Sequence, residues 1–156
     1  MKAKDIMTKG VYTIKANTLI KDIAKLLIDN KISGAPVLDD DGMVIGIVTR
    51  KDLIYKDIEP KLPSYIEFLG GVFYVDGVKS YEEKLKKFLA NEANEIMTEN
   101  VITISEEADV SQICEIMIEK RVNLLPVTKE GKLSGVVTRG NILETLIQWY
   151  MLIDYY

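Results

Sequence analysis

The sequence predicts an α/β protein built from two β-α-β-β-α repeats that pack by pseudo-two-fold symmetry, with an inserted segment between them. The first observation is an internal repeat, because DIMTKGVYTI from Asp5 matches EIMTENVITI from Glu95. The second is that the match resumes after a turn, where GIVTRKD from Gly46 matches GVVTRGN from Gly135. The third is that both copies show the same order of strand-like and helix-like patterns.

Each repeat begins with a short run rich in β-branched residues, VYTI or VITI, which predicts a strand. A helix with one apolar face should follow, because apolar residues then recur at helical spacing. These positions are Leu19, Ile23, Leu26, Leu27 and Ile32 in the first repeat, and Val110, Ile113, Ile116, Met117 and Val122 in the second. APVL and LLPV, a polar turn, and then MVIGIV and KLSGVV predict a hairpin that leads into a second helix. Neither half has enough apolar surface to cover its sheet alone, so the halves are expected to pack face to face.

The repeats divide the chain into residues 1–54 as the first repeat, residues 55–94 as an insert, and residues 95–156 as the second repeat with a C-terminal helix. The insert carries prolines and a Gly-Gly pair, which predict an irregular excursion with its apolar side chains tucked down. These side chains are Ile66, Phe68, Leu69, Val72 and Phe73. An amphipathic helix should close the insert, with Tyr81, Leu85, Phe88 and Leu89 on one side. An insert with this many apolar residues is expected to pack on the protein or to contact another subunit, and not to act as a free tether.

The C-terminal helix has more apolar residues than one buried face requires. They are Trp149, Tyr150, Met151, Leu152 and Ile153. Two uses remain open for them: a homodimer surface, or a cover for the sheet.

Composition excludes several classes of function. The chain of 156 residues has no histidine and one cysteine, Cys114, in an apolar context, which excludes thiolate or imidazole metal sites and most nucleophilic catalysis. A net charge of −4 offers no basic face to nucleic acid. No apolar run reaches the roughly 18 residues that a membrane helix needs, and the N-terminus lacks a signal-peptide core. We therefore expect a cytoplasmic protein that is not an enzyme, binds no metal and has neither nucleic acid nor a membrane as partner.

The repeated T-R motif can be interpreted in two ways. Thr49 and Asp52, and likewise Thr138 and Asn141, follow a strand and begin a helix, so they nearly form a capping box that folding alone would explain. The same arrangement also suits a nucleotide. Free N–H groups at the helix start can hold a phosphate, the glycine three residues before each threonine lets a flat ring approach the backbone, and an aspartate can accept from both ribose hydroxyls.

The order of DIMT, VYT, SGAPV and the closing GIVTRKD, together with its duplication, resembles the cystathionine-β-synthase (CBS) domain, and the tandem pair resembles a Bateman module. The resemblance covers both repeats but not the insert. It implies a regulatory module that binds an adenosine ligand (AMP, ADP, ATP or S-adenosylmethionine) as an effector in clefts between the repeats. It also implies a pair of β-α-β-β-α units that often dimerises into a flat disc.

The resemblance assigns residues to two clefts, each taking its helix-start motif from one repeat and a threonine and strand backbone from the other. Those of cleft 1 are Ile47, Thr49, Arg50, Asp52, Thr103, Asn123, Leu124, Leu125 and Pro126. In this cleft Asp52 is expected to hold the ribose diol, with Ile47 and Leu125 on the two faces of adenine. Those of cleft 2 are Thr13, Ser33, Gly34, Ala35, Pro36, Val136, Thr138, Arg139 and Asn141.

Asn141 departs from the family pattern. It lacks the charge of aspartate and one of its acceptor oxygens, so it cannot accept from both ribose hydroxyls as a carboxylate does. We therefore expect unequal clefts, with cleft 1 the better site for a ribose. Arg50 and Arg139, next to the threonines, are candidates for phosphate contacts.

The expected function is therefore that of a regulatory module, expected to be a homodimer, in which a bound ligand changes the geometry between the repeats or of the dimer. The module is expected to signal to a separate protein, which the sequence does not identify. A structural or oligomerisation module with empty clefts is the alternative.

Overall fold

Two three-stranded sheets, one in each repeat, carry the architecture. The structure is a computed structural model that describes residues 1–153, apart from the side chains of residues 149, 152 and 153. The elements of the first repeat are α1 (Ala3–Ile6), β1 (Ile14–Lys15), α2 (Ile20–Asp29), β2 (Gly34–Leu38), β3 (Val44–Thr49) and α3 (Arg50–Lys56). Those of the insert are β4 (Ser64–Phe68), β5 (Gly71–Asp76) and α4 (Val78–Phe88). Those of the second repeat are α5 (Ala93–Ile96), β6 (Ile104–Ser105), α6 (Val110–Glu119), β7 (Leu124–Lys129), β8 (Lys132–Thr138) and α7 (Arg139–Ile153).

The two sheets have the same topology, which confirms the predicted α/β fold of two repeats. In the first sheet β1 runs parallel to β2, and β2 pairs antiparallel with β3. In the second sheet β6, β7 and β8 are arranged in the same way. The predicted first strands are shorter than VYTI and VITI suggest, because only Ile14 and Ile104, each with the residue after it, pair with the sheet.

The N-terminal segment of each repeat packs on the other repeat. The backbone N–H of Ala3 donates to the carbonyl of Ala108 at 2.8 Å, and Thr8 pairs with Val136 on β8. In the same way Ala93 donates to Thr18 at 2.9 Å, while Thr98 pairs with β3. The buried side chains reflect this exchange, since α1 contributes to the core under the second sheet and α5 to the core under the first. Each core is therefore completed by a segment of the other repeat.

The glycines before the two T-R motifs have a structural role that differs from the predicted one. A Cβ at Gly135 would lie 2.6 Å from Sδ of Met7, and a Cβ at Gly46 would overlap the side chain of Met97. The space beside each glycine is thus filled by the methionine of the exchanged segment. These glycines admit a methionine to the strand backbone, which corrects the expectation that they leave room for a flat ligand.

The insert is more regular than predicted. Strands β4 and β5 form an antiparallel hairpin in which Phe68 lies opposite Gly71. The two residues between them, Leu69 and Gly70, have φ of 50° and 77°, as a two-residue hairpin turn requires. The apolar side chains of the insert are not tucked down against the two cores. Phe68 is 63% exposed, Leu69 is 91% exposed, and Ile66, Val72 and Phe73 are exposed as well.

The two remaining helical predictions hold as elements. α4 begins two residues before the predicted stretch 80–94 and ends at Phe88, with Tyr81 and Leu85 half-buried, whereas Phe88 and Leu89 are exposed. α7 spans 15 residues, and the side chains of Tyr150 and Met151 are exposed on it. The side chains of Trp149, Leu152 and Ile153, also predicted to form its apolar excess, lie outside the described residues. Across residues 1–153, no helix combines the length and the apolar character needed to cross a membrane.

Candidate functional site

The two T-R motifs cap their helices in the same way. In the first, the backbone N–H and the hydroxyl of Thr49 both donate to Oδ2 of Asp52, at 2.8 and 2.7 Å. In the second, the same two groups of Thr138 donate to Oδ1 of Asn141, both at 2.9 Å. The carboxylate and the amide therefore cap their helices in the same pattern through one oxygen, so capping accounts for the residue at this position in both copies.

The motifs differ in the second polar atom of the capping side chain. Nδ2 of Asn141 donates to the hydroxyl of Thr8 at 3.2 Å, which ties the start of α7 to the exchanged N-terminal segment. Among the described residues Oδ1 of Asp52 has no hydrogen-bond partner, so one oxygen of this carboxylate remains available to a ligand.

The two motif arginines also differ. Nε of Arg50 donates to the carbonyl of Ile32 at 2.9 Å, and its Nη2 to the carbonyl of Leu27 at 3.4 Å, so this guanidinium completes the C-terminal end of α2. Within residues 1–153 the structure shows no side-chain hydrogen bond or ion pair for Arg139. The arginine of the second motif is therefore the one whose charge is available.

A cavity of about 560 Å³ opens between the two repeats, beside the second T-R motif. Both repeats contribute to its walls. The first contributes Thr8, Gly10, Val11, Tyr12, Lys31, Ile32, Ser33 and Gly34, and the second contributes Asn123, Leu124, Val136, Thr138, Arg139 and Gly140. The lining is mainly apolar, with hydroxyl, amide and cationic groups at its edges, as is typical of small-molecule sites.

The cavity brings together much of the predicted cleft 2. Its predicted members are Ser33, Gly34, Val136, Thr138 and Arg139. Asn123 and Leu124 also line it, although the sequence assigned them to cleft 1. The other predicted residues of cleft 2 do not line the cavity: Thr13, Ala35, Pro36 and Asn141. Of these, Ala35 and Pro36 are fully buried inside β2, and Asn141 lies behind Thr8.

The prediction missed several lining residues of the cavity. Val11 and Tyr12 precede the predicted Thr13 directly, so the approach to the first strand lines the cavity in place of the threonine. Lys31 follows α2, has a φ of 53° and also lines the cavity. Thr8 reaches the cavity only because its segment crosses to the other repeat, which the sequence pattern does not show.

Cleft 1 is arranged differently from the prediction. Ile47, Leu124 and Val136 form a buried cluster between the repeats, so Ile47 faces Leu124 rather than Leu125. Leu125 is 1% exposed and belongs to the core under the second sheet, because successive side chains of β7 point to opposite faces. This corrects the expectation that Leu125 covers one face of adenine.

The polar residues of cleft 1 lie at the surface near this cluster. Thr49 and Asp52 are half-buried, and Thr103 and Asn123 are exposed. Pro126 is fully buried within β7. None of Ile47, Thr49 and Asp52 lines the 560 Å³ cavity, so the two motifs face different surroundings.

Comparison with known proteins matches two CBS domains to this chain, at residues 3–59 and 93–148. An uncharacterized protein of Methanocaldococcus jannaschii is 34% identical in an alignment of 155 positions that covers 94% of this chain and 92% of that protein. A CBS domain-containing protein of Dictyostelium discoideum is 32% identical over 146 residues, covering 93% of this chain and 90% of its own length.

Solved structures agree with this match. CBSX2 of Arabidopsis thaliana, in a crystal structure with AMP, superposes with a TM-score of 0.78 at 24% identity, over 94% of this chain and 97% of its own. The CBS domain pair of protein MJ0100, in complex with 5′-methylthioadenosine and S-adenosyl-L-methionine, gives a TM-score of 0.69 at 25% identity, over 94% and 99%. The two matched regions coincide with the two repeats and their exchanged segments. The chain therefore belongs to the CBS domain family and carries a tandem pair of these domains.

Proposed function

We propose that this protein is a regulatory module that binds an adenosine-type ligand between its two CBS domains, at the cleft beside Thr138 and Asn141. The observation that carries the proposal is the 560 Å³ cavity walled by both repeats. Its volume lies within the roughly 300–1,000 Å³ usual for small-molecule sites. The solved CBS pairs with AMP, or with 5′-methylthioadenosine and S-adenosyl-L-methionine, support the ligand class.

The lining of the cavity suits the parts of an adenosine ligand. Val11, Leu124 and Val136 offer apolar surface to a base, and the ring of Tyr12 adds an aromatic face. The hydroxyls of Ser33 and Thr138 and the amide of Asn123 can orient polar groups of the base and sugar. Ligand contacts to both repeats mean that the ligand binds the assembled pair and not either half.

Cleft 1 is proposed as a second, shallower site. Its contribution would be the free oxygen of Asp52, which can accept from a ribose hydroxyl, together with Thr103 and Asn123 from the other repeat. The sequence ranks this cleft first because of the carboxylate, whereas the open volume beside Thr138 favours cleft 2. Because cleft 2 has the larger open volume, we propose it as the main ligand site.

The effect of the ligand is proposed to be a change in the geometry of a homodimer. Ile28 and Ile54 are 70% and 69% exposed on neighbouring helices of the first repeat. Their equivalents in the second repeat, Ile118 and Leu143, are 74% and 59% exposed. Such duplicated apolar patches suit a two-fold partner that contacts both repeats, and ligand occupancy would shift the population among dimer arrangements. No catalytic step is proposed, and the output would go to a separate protein.

The same duplicated patches favour one alternative, a purely structural CBS module that dimerises without a ligand. Thermal unfolding of the full chain with AMP, ADP, ATP, S-adenosylmethionine and adenosine separates the two. A ligand at 100 times its Kd should add about 2.7 kcal/mol to the free energy of unfolding, and so raise Tm by roughly 5–10 °C. No shift with any of the five ligands would support the structural module.

A pair of variants assigns the shift to a cleft. Ser33→Trp places a large side chain at the wall of the cavity and should remove most of the ligand shift, with any remainder due to cleft 1. Asp52→Asn is the matched control, because Asn141 shows that an asparagine caps this helix start. If Asp52→Asn removed the shift and Ser33→Trp retained it, the ligand would be in cleft 1 and the assignment to cleft 2 would be wrong.

A further inference from the structure

The charged residues that line the cavity all have the same sign. Of the residues that line it, Lys31 and Arg139 are cationic, and none is acidic. Both side chains are exposed to the cavity mouth, and no ion pair or side-chain hydrogen bond is found for either among the described residues. In a chain with a net charge of −4, this is a local concentration of unpaired positive charge.

Neither T-R motif places a carboxylate in the lining of this cavity to neutralise Lys31 and Arg139. The cap beside the cavity is the amide of Asn141 and not a carboxylate, while the carboxylate of this pair of motifs, Asp52, is outside the lining. The contrast with Arg50 is direct, because its guanidinium is used by the carbonyls of Ile32 and Leu27. The helix cap next to the cavity is therefore uncharged in the repeat in which the side chain of the motif arginine has no hydrogen-bond or ion-pair partner among the described residues.

The two cations come from different repeats. Lys31 follows α2 of the first repeat and adjoins the cavity wall formed by Ile32, Ser33 and Gly34. Arg139 begins α7 of the second repeat. An anionic group held by both would link the repeats through charge-assisted hydrogen bonds, which are stronger than neutral ones.

We infer that the cavity beside Asn141 selects its ligand by charge, accepting adenosine ligands that carry phosphate and rejecting S-adenosylmethionine. The inference rests on the proposed function and narrows its ligand class. A phosphate group carries about −1.5 to −2 at neutral pH and so matches two cations. The sulfonium and ammonium of S-adenosylmethionine outnumber its one carboxylate, which leaves a net positive ligand opposite Lys31 and Arg139. Like charges in a cleft without a counter-ion oppose binding.

The experiment is calorimetric titration of the full chain with AMP, ATP, adenosine and S-adenosylmethionine. AMP and ATP should bind at least roughly tenfold more tightly than adenosine, which corresponds to about 1.4 kcal/mol, since adenosine has no phosphate to accept charge-assisted hydrogen bonds from Lys31 and Arg139. S-adenosylmethionine should bind more weakly than adenosine. Raising the salt concentration should weaken the binding of ATP and leave that of adenosine unchanged, because only the former depends on charge.

Three variants locate the effect. Lys31→Gln and Arg139→Gln should each weaken AMP binding by roughly tenfold, with adenosine binding unchanged within about twofold. Arg121→Gln is the matched control. Arg121 is the equivalent of Lys31 in the second repeat and has the same left-handed backbone, with φ of 54° against 53°, but it does not line the cavity. Its substitution should leave both affinities unchanged, and Tm without ligand should confirm that all three variants fold.

The outcomes distinguish this inference from the proposed function. If adenosine or S-adenosylmethionine binds as tightly as AMP, or if Lys31→Gln and Arg139→Gln behave like Arg121→Gln, selection by charge is overturned while adenosine binding stands. If none of the four ligands binds, the proposed function fails and this inference fails with it.

Discussion

The close approach between Gly135 and the exchanged N-terminal segment can be tested by adding one methyl group. In Gly135→Ala the new Cβ would lie 2.6 Å from Sδ and 2.9 Å from Cγ of Met7, and 3.0 Å from the carbonyl oxygen of Thr8. The thioether can move, but the carbonyl belongs to a backbone pair, in which Thr8 donates to Val136 at 2.9 Å and Val136 donates to Thr8 at 3.1 Å.

The expected destabilisation follows from these contacts. Overpacking costs about 1–3 kcal/mol, and weakening the two backbone hydrogen bonds adds about 0.5–1.5 kcal/mol for each bond lost. We therefore expect Gly135→Ala to lower the free energy of unfolding by roughly 2–4 kcal/mol and Tm by roughly 5–15 °C. Equilibrium urea unfolding and calorimetry measure both quantities.

Two further variants test the reasoning. Met7→Ala removes Cγ and Sδ, so in the double variant Met7→Ala/Gly135→Ala part of the penalty should disappear, with a coupling energy of about 1 kcal/mol or more. Gly140→Ala is the control, because its Cβ would meet only Oγ1 of Thr138 at 3.4 Å. It should change stability by less than about 0.5 kcal/mol or raise it. If Gly135→Ala is as mild as Gly140→Ala, or if the cycle is additive, the segment does not pack as described.

Three other predictions concern the surface and the caps. Ile54→Lys with Leu143→Lys, at equivalent exposed positions of the two repeats, should convert a dimer into a monomer in light scattering while each protomer keeps its fold; an unchanged mass would exclude this face as the dimer contact. The backbone N–H groups of Asn91 and Glu92 donate to Glu95 and hold the pKa of its carboxyl below the usual value. This carboxyl therefore adds stability above its unfolded-state pKa that is lost as pH falls through the folded-state pKa, so Glu95→Gln should lower Tm at pH 7 but not in acid below both; an equal loss at both pH values would contradict it. Leu69→Asn should slow amide hydrogen exchange across β4 and β5, because Leu69 has φ of 50°, where asparagine is favoured, and is 91% exposed; faster exchange would show that the leucine side chain stabilises the turn.

The repeat architecture could be predicted because its sequence pattern occurs twice in the chain. Two copies of the same apolar pattern, one at each end of the chain, fix the order of strands and helices in both repeats, and the sheets follow that order. The side-chain assignments were less secure, as Leu124 and Leu125 show. They are identical residues in sequence, and only the pleat of β7 decides that one faces Ile47 and the other the core.

Features that depend on contacts distant in sequence were not predictable. The hairpin of the insert turns at Leu69 and Gly70. Because leucine rarely adopts positive φ, the sequence with its Gly-Gly pair predicts an irregular segment and not a two-residue hairpin turn. Arg50 and Arg139 occupy equivalent positions, yet only Arg50 reaches carbonyls at the end of the neighbouring helix. The crossing of Thr8 to the second repeat is not visible in the local sequence pattern, so the contribution of Thr8 to the cavity wall was not predicted.

The crossed N-terminal segments make the pair of repeats stiff. For one repeat to rotate against the other, the backbone pairs of Thr8 with Val136 and of Ile47 with Thr98 would both have to break. Their four hydrogen bonds, at 2.9 to 3.1 Å, lie on either side of the buried cluster between the repeats and resist such a hinge from two directions. A ligand bound in the cavity would therefore strengthen the contact between the two repeats without changing the angle between them. In the homodimer proposed above, a large movement would therefore occur at the contact between the two protomers.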